Sequence, residues 1–447
     1  MVEVQNTQDV YTAEFQRREK DFSSGGGAWL LPIRKAAMAR FAELGFPTKR
    51  HENWLYTNVA PIAQTAFQPA EDRDAEVIAS EVAEHVFDSD CCRLVFVNGR
   101  FSSRHSAVQG LPEGVKVCSL AAAMRTDSKR LEPHLARHAN DQDNAFAALN
   151  TALMTDGAFV HIPKGVVVER PIHLLFLAVG GEQPEVTHPR NLIVAETNSQ
   201  ATIVETYAGV GGGEAYLTNA VTEVVANENA TLVLYKIERE CEQAFHVATT
   251  HFHQYRSSNV SFLNVLLGGI LVRNDIYAML DGEGCDCSLN GLSMLSGTQH
   301  ADNHLWVHHA KPHCNSREYF KGIYDDQSHG VFCGRIFVEE GAQKTDAKQT
   351  NMNLILSDQA LADSKPQLEI FADDVKCTHG ATIGQIDNDA IFYLGSRGLS
   401  KEAARSMLIY AFANEMISQI SIEPLRARLS ELLFDRLPQT EMLRETV

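Results

Sequence analysis

Between residue 157 and about residue 395, apolar and polar positions alternate with period two in strand-sized runs, and a helical period is almost absent. The run FVHIPKGVVVERPIHLLFLAV opens this region, with Pro163-Lys164-Gly165 as its turn. Both ends of the chain read differently. A polar helical stretch occupies residues 1–27 and ends in a flexible break, Ser23-Ser24-Gly25-Gly26-Gly27. Leu30 to Leu44 follows as a helix with Pro32 in its first turn. Ile33, Ala37, Phe41 and Leu44 lie along one face, and Gly45 and Pro47 stop it. CCRLVFVNGR is a strand whose Asn-Gly turn predicts a hairpin into Phe101. Residues 118–156 read as Ala-rich helix. After Gly398 the helical period returns, with Ser400 as N-cap and Ala404, Met407, Leu408, Ala411 and Phe412 in a stripe. A last helix opens at Pro424, carries Leu425, Leu429, Leu432 and Leu433, and ends before Pro438. The pattern divides the chain into a mixed helical and α–β region (1–155), a β core (156–395) and a helical tail (396–447).

A weak repeat runs through the β core. Asn198-Ser-Gln-Ala-Thr-Ile-Val-Glu recurs 29 residues later as Asn227-Glu-Asn-Ala-Thr-Leu-Val-Leu, and a similar beat returns at Ser258-Asn-Val-Ser-Phe-Leu. That spacing signals a solenoid, in which one coil cannot bury its inner face without neighbours. A β-sandwich competes, because short strands at regular spacing suit it too. The repeat and the shortage of hairpin pairs favour a parallel β-helix core between helical terminal regions. The two tail helices would either cap the last coil or offer an apolar groove to another protein.

Charge narrows the function. The 447 residues carry a formal charge of −18, which opposes a nucleic-acid groove and docking on an anionic membrane. The nine cysteines are odd in number and follow no framework spacing, and the start MVEVQNTQDV lacks a secretory pattern. The expectation is a cytoplasmic protein with free thiols. No apolar run is long enough to span a bilayer. Neither a G-x-x-x-x-G-K-[ST] loop nor a G-x-G-x-x-G after a strand is present, so nucleotide energy must come from elsewhere.

Candidate chemistry concentrates in KPQLEIFADDVKCTHGATIG (365–384). Val375, Cys377 and His379 alternate with Lys376 and Thr378, so thiol and imidazole share a strand face, roughly 6–7 Å apart. A soft sulfur beside an imidazole suits zinc, iron or an iron–sulfur unit better than magnesium or calcium. A buried Cys and a packed strand His are the plainer reading. His300, His304, His308, His309 and His313 crowd together. NHLWVHH alternates like a strand, however, and no Glu follows His300 as a zinc hydrolase requires. Cys285-Asp286-Cys287 resembles a ligand pair but equally suits small inward side chains. Adjacent Cys91 and Cys92 should diverge. Asp325–Asp326 and Asp373–Asp374 each straddle two strand faces, which favours turns over an acid/base dyad. A carbohydrate-active β-helix enzyme using carboxylates is the alternative reading of the core.

Several long segments resemble one family: KTDAKQTNMNLILSD (344–358), 365–384, and IFYLGSRGLSKEAARSMLIYAFANE (391–415). RNDIYAMLDGEGCDCSLNGL (273–292), DNHLWVHHAKPHCNSREYFKGI (302–323), IPKGVVVERPIHLLF (162–176) and PTKRHENWLYTNV (47–59) fit it as well. The resemblance is to the SufD family, subunits of the SUF iron–sulfur cluster assembly complex, and it covers nearly the whole chain. It implies a right-handed parallel β-helix and a non-catalytic scaffold. It implies pairing with SufB, a paralogous β-helix subunit, and binding of SufC, an ABC-type ATPase that supplies the nucleotide site. The tail helices, with Met407, Leu408 and Phe412, would dock SufC, and the end of the β-helix would abut SufB. Cys377 and His379 fall at the family's functional Cys and His near that interface, where transient iron or a nascent cluster shared with SufB is handled. Asn351 or its neighbour stands where SufB has a sulfur-receiving cysteine, and HGAT (379–382) replaces a His-Glu-Ala-Thr run. Both departures favour SufD and put in doubt cluster building by this subunit alone.

Overall fold

Eight strands stack in parallel in one sheet: Ala158–Ile162, Arg190–Ala195, Tyr216–Ala226, Phe245–Gln254, Leu271–Leu280, His300–His309, His329–Val338 and Leu361–Ile370. Between them the chain crosses to a second parallel sheet, from Ile172–Val179 through Gln200–Val210, Thr231–Arg239, Asn259–Leu266, Asp286–Leu295, Asn315–Tyr324 and Asp346–Ile355 to Lys376–Gly384. The result is a parallel β-solenoid of about 7 turns. This computed structural model describes residues 7–23, 25–139, 142–211 and 215–438. Inward residues of the two sheets, such as Ile203, Leu232, Phe252, Phe262, Leu289 and Leu305, meet in one continuous core. Period-two alternation is what supplies an inner face to every coil.

The repeat seen in the sequence is real but two residues out of step. Ala201 lies opposite Leu232, 31 positions on, rather than opposite Ala230. A slip of two keeps every side chain on its own face, so the mismatched repeat still reported the correct fold. The true anchor is a turn column. Asn198, Asn229, Ser257, Gly284, His313 and Lys344 occupy equivalent turns of successive coils, all with φ between 54° and 75°. Asn tolerates this left-handed conformation best among residues with side chains, and Asn229 Nδ2 donates to Asn198 Oδ1 at 3.1 Å.

The N-terminal region packs on the outer face of the first sheet. Its helices Thr7–Phe22, Leu31–Leu44 and Ala145–Leu153 place Tyr11, Phe41 and Phe146 against Val186, Leu217, Val247 and Leu271. Gly25–Leu30 forms a 3-10 turn where a flexible break was expected; Ser24, like residues 1–6, lies outside the described residues. The expected hairpin forms: Cys92–Val97 pairs antiparallel with Arg100–Ala107 through Asn98 and Gly99, both at positive φ. The stretch 118–156 is only partly helical. It begins in the strand Lys116–Ser119, which pairs antiparallel with Ala158–Ile162. Arg273 ties the region down. Its guanidinium bridges Asp275 and Asp302, donates to the Asn53 carbonyl at 2.9 Å and sits 4.4 Å from the Trp54 ring centroid.

The tail helices Lys401–Ile417 and Glu423–Asp435 do not cap the last coil. They lie along the outer face of the second sheet, where Ile409, Tyr410, Met416, Leu425 and Leu429 cover Tyr235, Ile237, Leu263, Leu292 and Ile323. A shorter helix, Asn388–Gly395, precedes them. Residues 439–447 of the tail are outside the described residues.

Candidate functional site

With the tail helices on its flank, the last coil of the solenoid is left bare by the described residues. Leu361–Ile370 and Lys376–Gly384 are terminal strands of their sheets, so among the described residues each pairs along one edge only. Around this end Leu361, Ile370, Phe371 and Ile383 are all exposed, Phe371 at 60%. An apolar rim bordering two unpaired strand edges is a template for another chain.

Cys377 and His379 stand on the final strand, both facing along the solenoid interior. Cys377 is in register with Ala347, below which lie Ser316 and Cys287. It is half-buried, packed with Leu368 and Val375 against the cluster of Ile336, Val338, Ala342, Ala347 and Ala372, and that burial pushes its thiol up, so it stays protonated without a nearby positive charge. His379 is exposed and stands in register with Gln349 and, one coil deeper, Glu318. Gln349 Nε2 donates to Glu318 Oε2 at 2.5 Å. Glu318 is fully enclosed, and its carboxyl is pushed up to about 8 by burial, which the Gln349 hydrogen bond only partly opposes. A protonated acid therefore sits beneath the open end. This column was readable in part: Ser316, Glu318 and Phe320 alternate with Arg317 and Tyr319, which puts a carboxyl on the inward face.

The other sequence candidates disperse. His300 meets Thr57 Oγ1 at 2.8 Å, His304 Nδ1 meets Arg273 Nη2 at 2.6 Å, and His308 pairs with Glu339 at 2.8 Å. His309 is buried on Ser316 Oγ at 2.9 Å, and His313 is one of the left-handed turn residues. Cys285 and Cys314 point inward, each thiol 3.1 Å from the Gly282 carbonyl, and Cys287 is buried beside them. Asp326 accepts from the Gly297 amide at 2.9 Å and Asp374 pairs with Lys344, both as turn fasteners. Among the described residues, no three metal-ligating side chains converge on one point. Cys377 and His379 thus offer two donors of the kind iron accepts, and neither a third nor a fourth.

On the tail, the stripe read from the sequence straddles two faces. The buried face is Ala403, Ala404, Ser406, Ile409, Tyr410, Ala413, Met416 and Ile417, so Ala404 of the expected stripe is buried while its other members lie round to one side of that face. Met407 is exposed, as is Ala411, and Leu408 is half-buried. Phe412 lies at the boundary, its ring 4.2 Å from Lys321 Nζ, which also donates to the Phe412 carbonyl at 3.0 Å. An apolar strip consequently faces away from the solenoid.

Comparison with known proteins agrees with this architecture. Residues 5–174 match the SufBD protein N-terminal region, and residues 176–412 match the family described as SUF system FeS cluster assembly, SufBD core domain. A Synechocystis protein described as an iron–sulfur cluster assembly SufBD family protein is 34% identical, covering 95% of this chain and 96% of its own length. The Escherichia coli iron–sulfur cluster assembly protein SufD is 31% identical over 91% of this chain and 93% of its own. The Bacillus subtilis protein of the same description is 27% identical with the same coverage. No helix among the described residues is long and apolar enough to cross a membrane.

Proposed function

The chain belongs to the SufBD family of the SUF iron–sulfur cluster assembly system, and from that premise we propose that it is the SufD-type scaffold subunit of a SufB–SufC–SufD complex. The observation that carries this reading is the uncovered last coil. Two bare strand edges, an apolar rim and an inward Cys377–His379 pair fit a second solenoid end stacked against this one. SufB, a paralogous solenoid, would extend both sheets and bring further ligands to the junction. Ferrous iron or a nascent cluster is then cargo, held by Cys377, His379 and donors of the facing subunit. Two donors on one side make a weak half-site, which a moving partner can open and close, whereas a complete site within one chain would trap the metal. The subunit itself has no catalytic role in this scheme, and SufC, bound at the outward strip of Met407 and Leu408 with Phe412 at its edge, hydrolyses ATP in the cytoplasm.

The test reconstitutes the three-subunit complex with His379→Ala and follows cluster absorbance. The complex should assemble normally while cluster yield falls sharply, and Cys377→Ser should have a similar or smaller effect. Full cluster yield from an intact His379→Ala complex would remove the site from the mechanism.

A further inference from the structure

Over the first coils, the helix Thr7–Phe22 does not close completely onto the solenoid. A cavity of about 570 Å³ remains beneath it, a size that suits a small organic molecule. Val10, Phe67, Leu153 and Val186 give it apolar wall, while Arg17, Arg18 and Arg100 line it with one carboxylate, Glu14. Glu14 is already engaged: Arg17 Nη2 lies 2.6 Å from its Oε2, and Arg18 Nε lies 3.7 Å from its Oε1. The Arg100 guanidinium makes no hydrogen bond or ion pair among the described residues. Burial lowers the proton affinity of Arg18, and the charges of Arg100 and Arg17 lower it further against the pull of Glu14. On a chain of formal charge −18, the cavity is a local surplus of positive charge.

Two more donors are left over at the same place. Asn219 Nδ2 donates to the Phe146 carbonyl at 3.0 Å and to His188 Nδ1 at 3.2 Å. Burial pushes the His188 ring down to about 3, so it is neutral at physiological pH, and its proton stands on Nε2. That Nε2 is buried with no partner, and so is the hydroxyl of Tyr11. Both residues line the cavity, their ring centroids 6.4 Å apart. Orphaned polar groups in a native interior call for an explanation. The walls are fixed in advance. Gln68–Pro69 pairs with Glu185–Val186 on one side. On another, Asn98 pins the turn that carries Arg100, donating to the Glu71 and Val179 carbonyls at 3.0 and 3.2 Å and accepting from the Val179 amide at 2.8 Å.

We propose that this cavity binds a small amphipathic organic anion, with its apolar body against Phe67, Leu153 and Val186 and its phosphate or carboxylate held by Arg18 and Arg100, Tyr11 and His188 being further donors. An anion answers each unusual feature at once: the surplus charge, the unpaired guanidinium and the two donors without acceptors. The site lies beside the second of the eight stacked strands, away from the open end, and does not depend on Cys377 or His379.

The experiment is calorimetric titration of the full-length protein with 1-naphthyl phosphate, with the uncharged 1-naphthylmethanol as the control. The phosphate should bind saturably with one equivalent, more weakly as salt is raised, and the alcohol should bind about 10-fold more weakly or worse. 2-Naphthoate, titrated in parallel, tells a carboxylate head group from a phosphate by which binds more tightly. Arg18→Gln with Arg100→Gln should weaken phosphate binding by about 10-fold or more. Tyr11→Phe should bind more weakly yet melt at a higher temperature, because it removes a buried hydroxyl without a partner. Arg256→Gln, which alters an exposed arginine paired with Glu228, should bind as the wild type does. Circular dichroism checks that the variants fold. Absence of saturable binding, equal affinity for the alcohol, or undiminished binding by the folded Arg18→Gln, Arg100→Gln protein would overturn the proposal.

Discussion

Glu318 shows how a single inward residue couples the solenoid to pH. In the unfolded chain a glutamate titrates near 4.5, and in the folded protein burial raises it to about 8. Between those values the native state keeps a proton that the unfolded chain has lost. Stability from this residue is therefore fully present below about 4.5, declines as pH rises, and is gone once pH passes about 8. Each tenfold difference in proton affinity weighs about 1.4 kcal/mol. Glu318→Gln keeps the hydrogen-bonding shape and removes the proton linkage. Urea unfolding from pH 5 to 8 should show the wild type losing stability relative to the Gln variant, and parallel pH profiles would contradict the burial argument. His313 shows a different case, a residue placed by its backbone conformation. It holds a left-handed turn at φ 60°, a conformation costing a residue with a Cβ about 1–2 kcal/mol. His313→Gly should leave stability unchanged or raise it by up to about 1 kcal/mol, with cluster assembly unaffected. A loss of assembly would instead give the imidazole a role.

At the scale of elements, the loop through residues 134–139 depends on one carboxylate. Glu223 is fully buried, pairs with Arg190 at 2.7 Å and gathers four loop amides; these outweigh its desolvation and hold it down at about 2. Glu223→Gln leaves the Arg190 charge buried without a counter-ion, and should destabilise the protein by about 3–5 kcal/mol in denaturant titration. Nothing in the sequence marked this nest, because Glu223 and its loop lie some 85 positions apart. What the sequence did disclose was periodic: the parallel coils, the Asn98-Gly99 hairpin, the shared face of Cys377 and His379. Period two survives local error, as the repeat misaligned by two residues demonstrates. A helix stripe is less forgiving. Ala404 through Phe412 contains apolar residues on most sides, so the side that meets the sheet was decided by Tyr235, Leu263 and Ile323, which hydrophobic spacing within the helix does not reveal. The error leaves Met407 and Leu408 outward, where Met407→Asp with Leu408→Asp should abolish SufC binding and shift the melting temperature little. Undiminished co-purification of SufC would move that contact elsewhere.

Among the described residues, one flank of each sheet is covered by helices and one end is open, and this asymmetry determines which experiments are informative. Removing residues 400–447 would strip the cover from Tyr235, Ile237, Leu263, Val265 and Ile323, an apolar face that the solenoid cannot leave in water. Such a truncation should aggregate, so loss of SufC binding in it would say nothing about docking. The open end behaves differently, because its apolar residues are already exposed in the isolated chain. Ile370 and Ile383 are 38% and 52% accessible, one on each terminal strand. Replacing both with Lys buries no charge in the isolated subunit and should leave its unfolding midpoint nearly unchanged. In an assembled complex the same two ammonium groups would have to enter an apolar junction between stacked coils, and lysine on a strand edge is an established deterrent to edge pairing. Ile370→Lys with Ile383→Lys should therefore fold normally, keep SufC through the distant tail strip, and fail to co-purify with SufB. If this double variant pairs with SufB at wild-type yield, the open end is not the junction, and Cys377 and His379 lose their place between subunits.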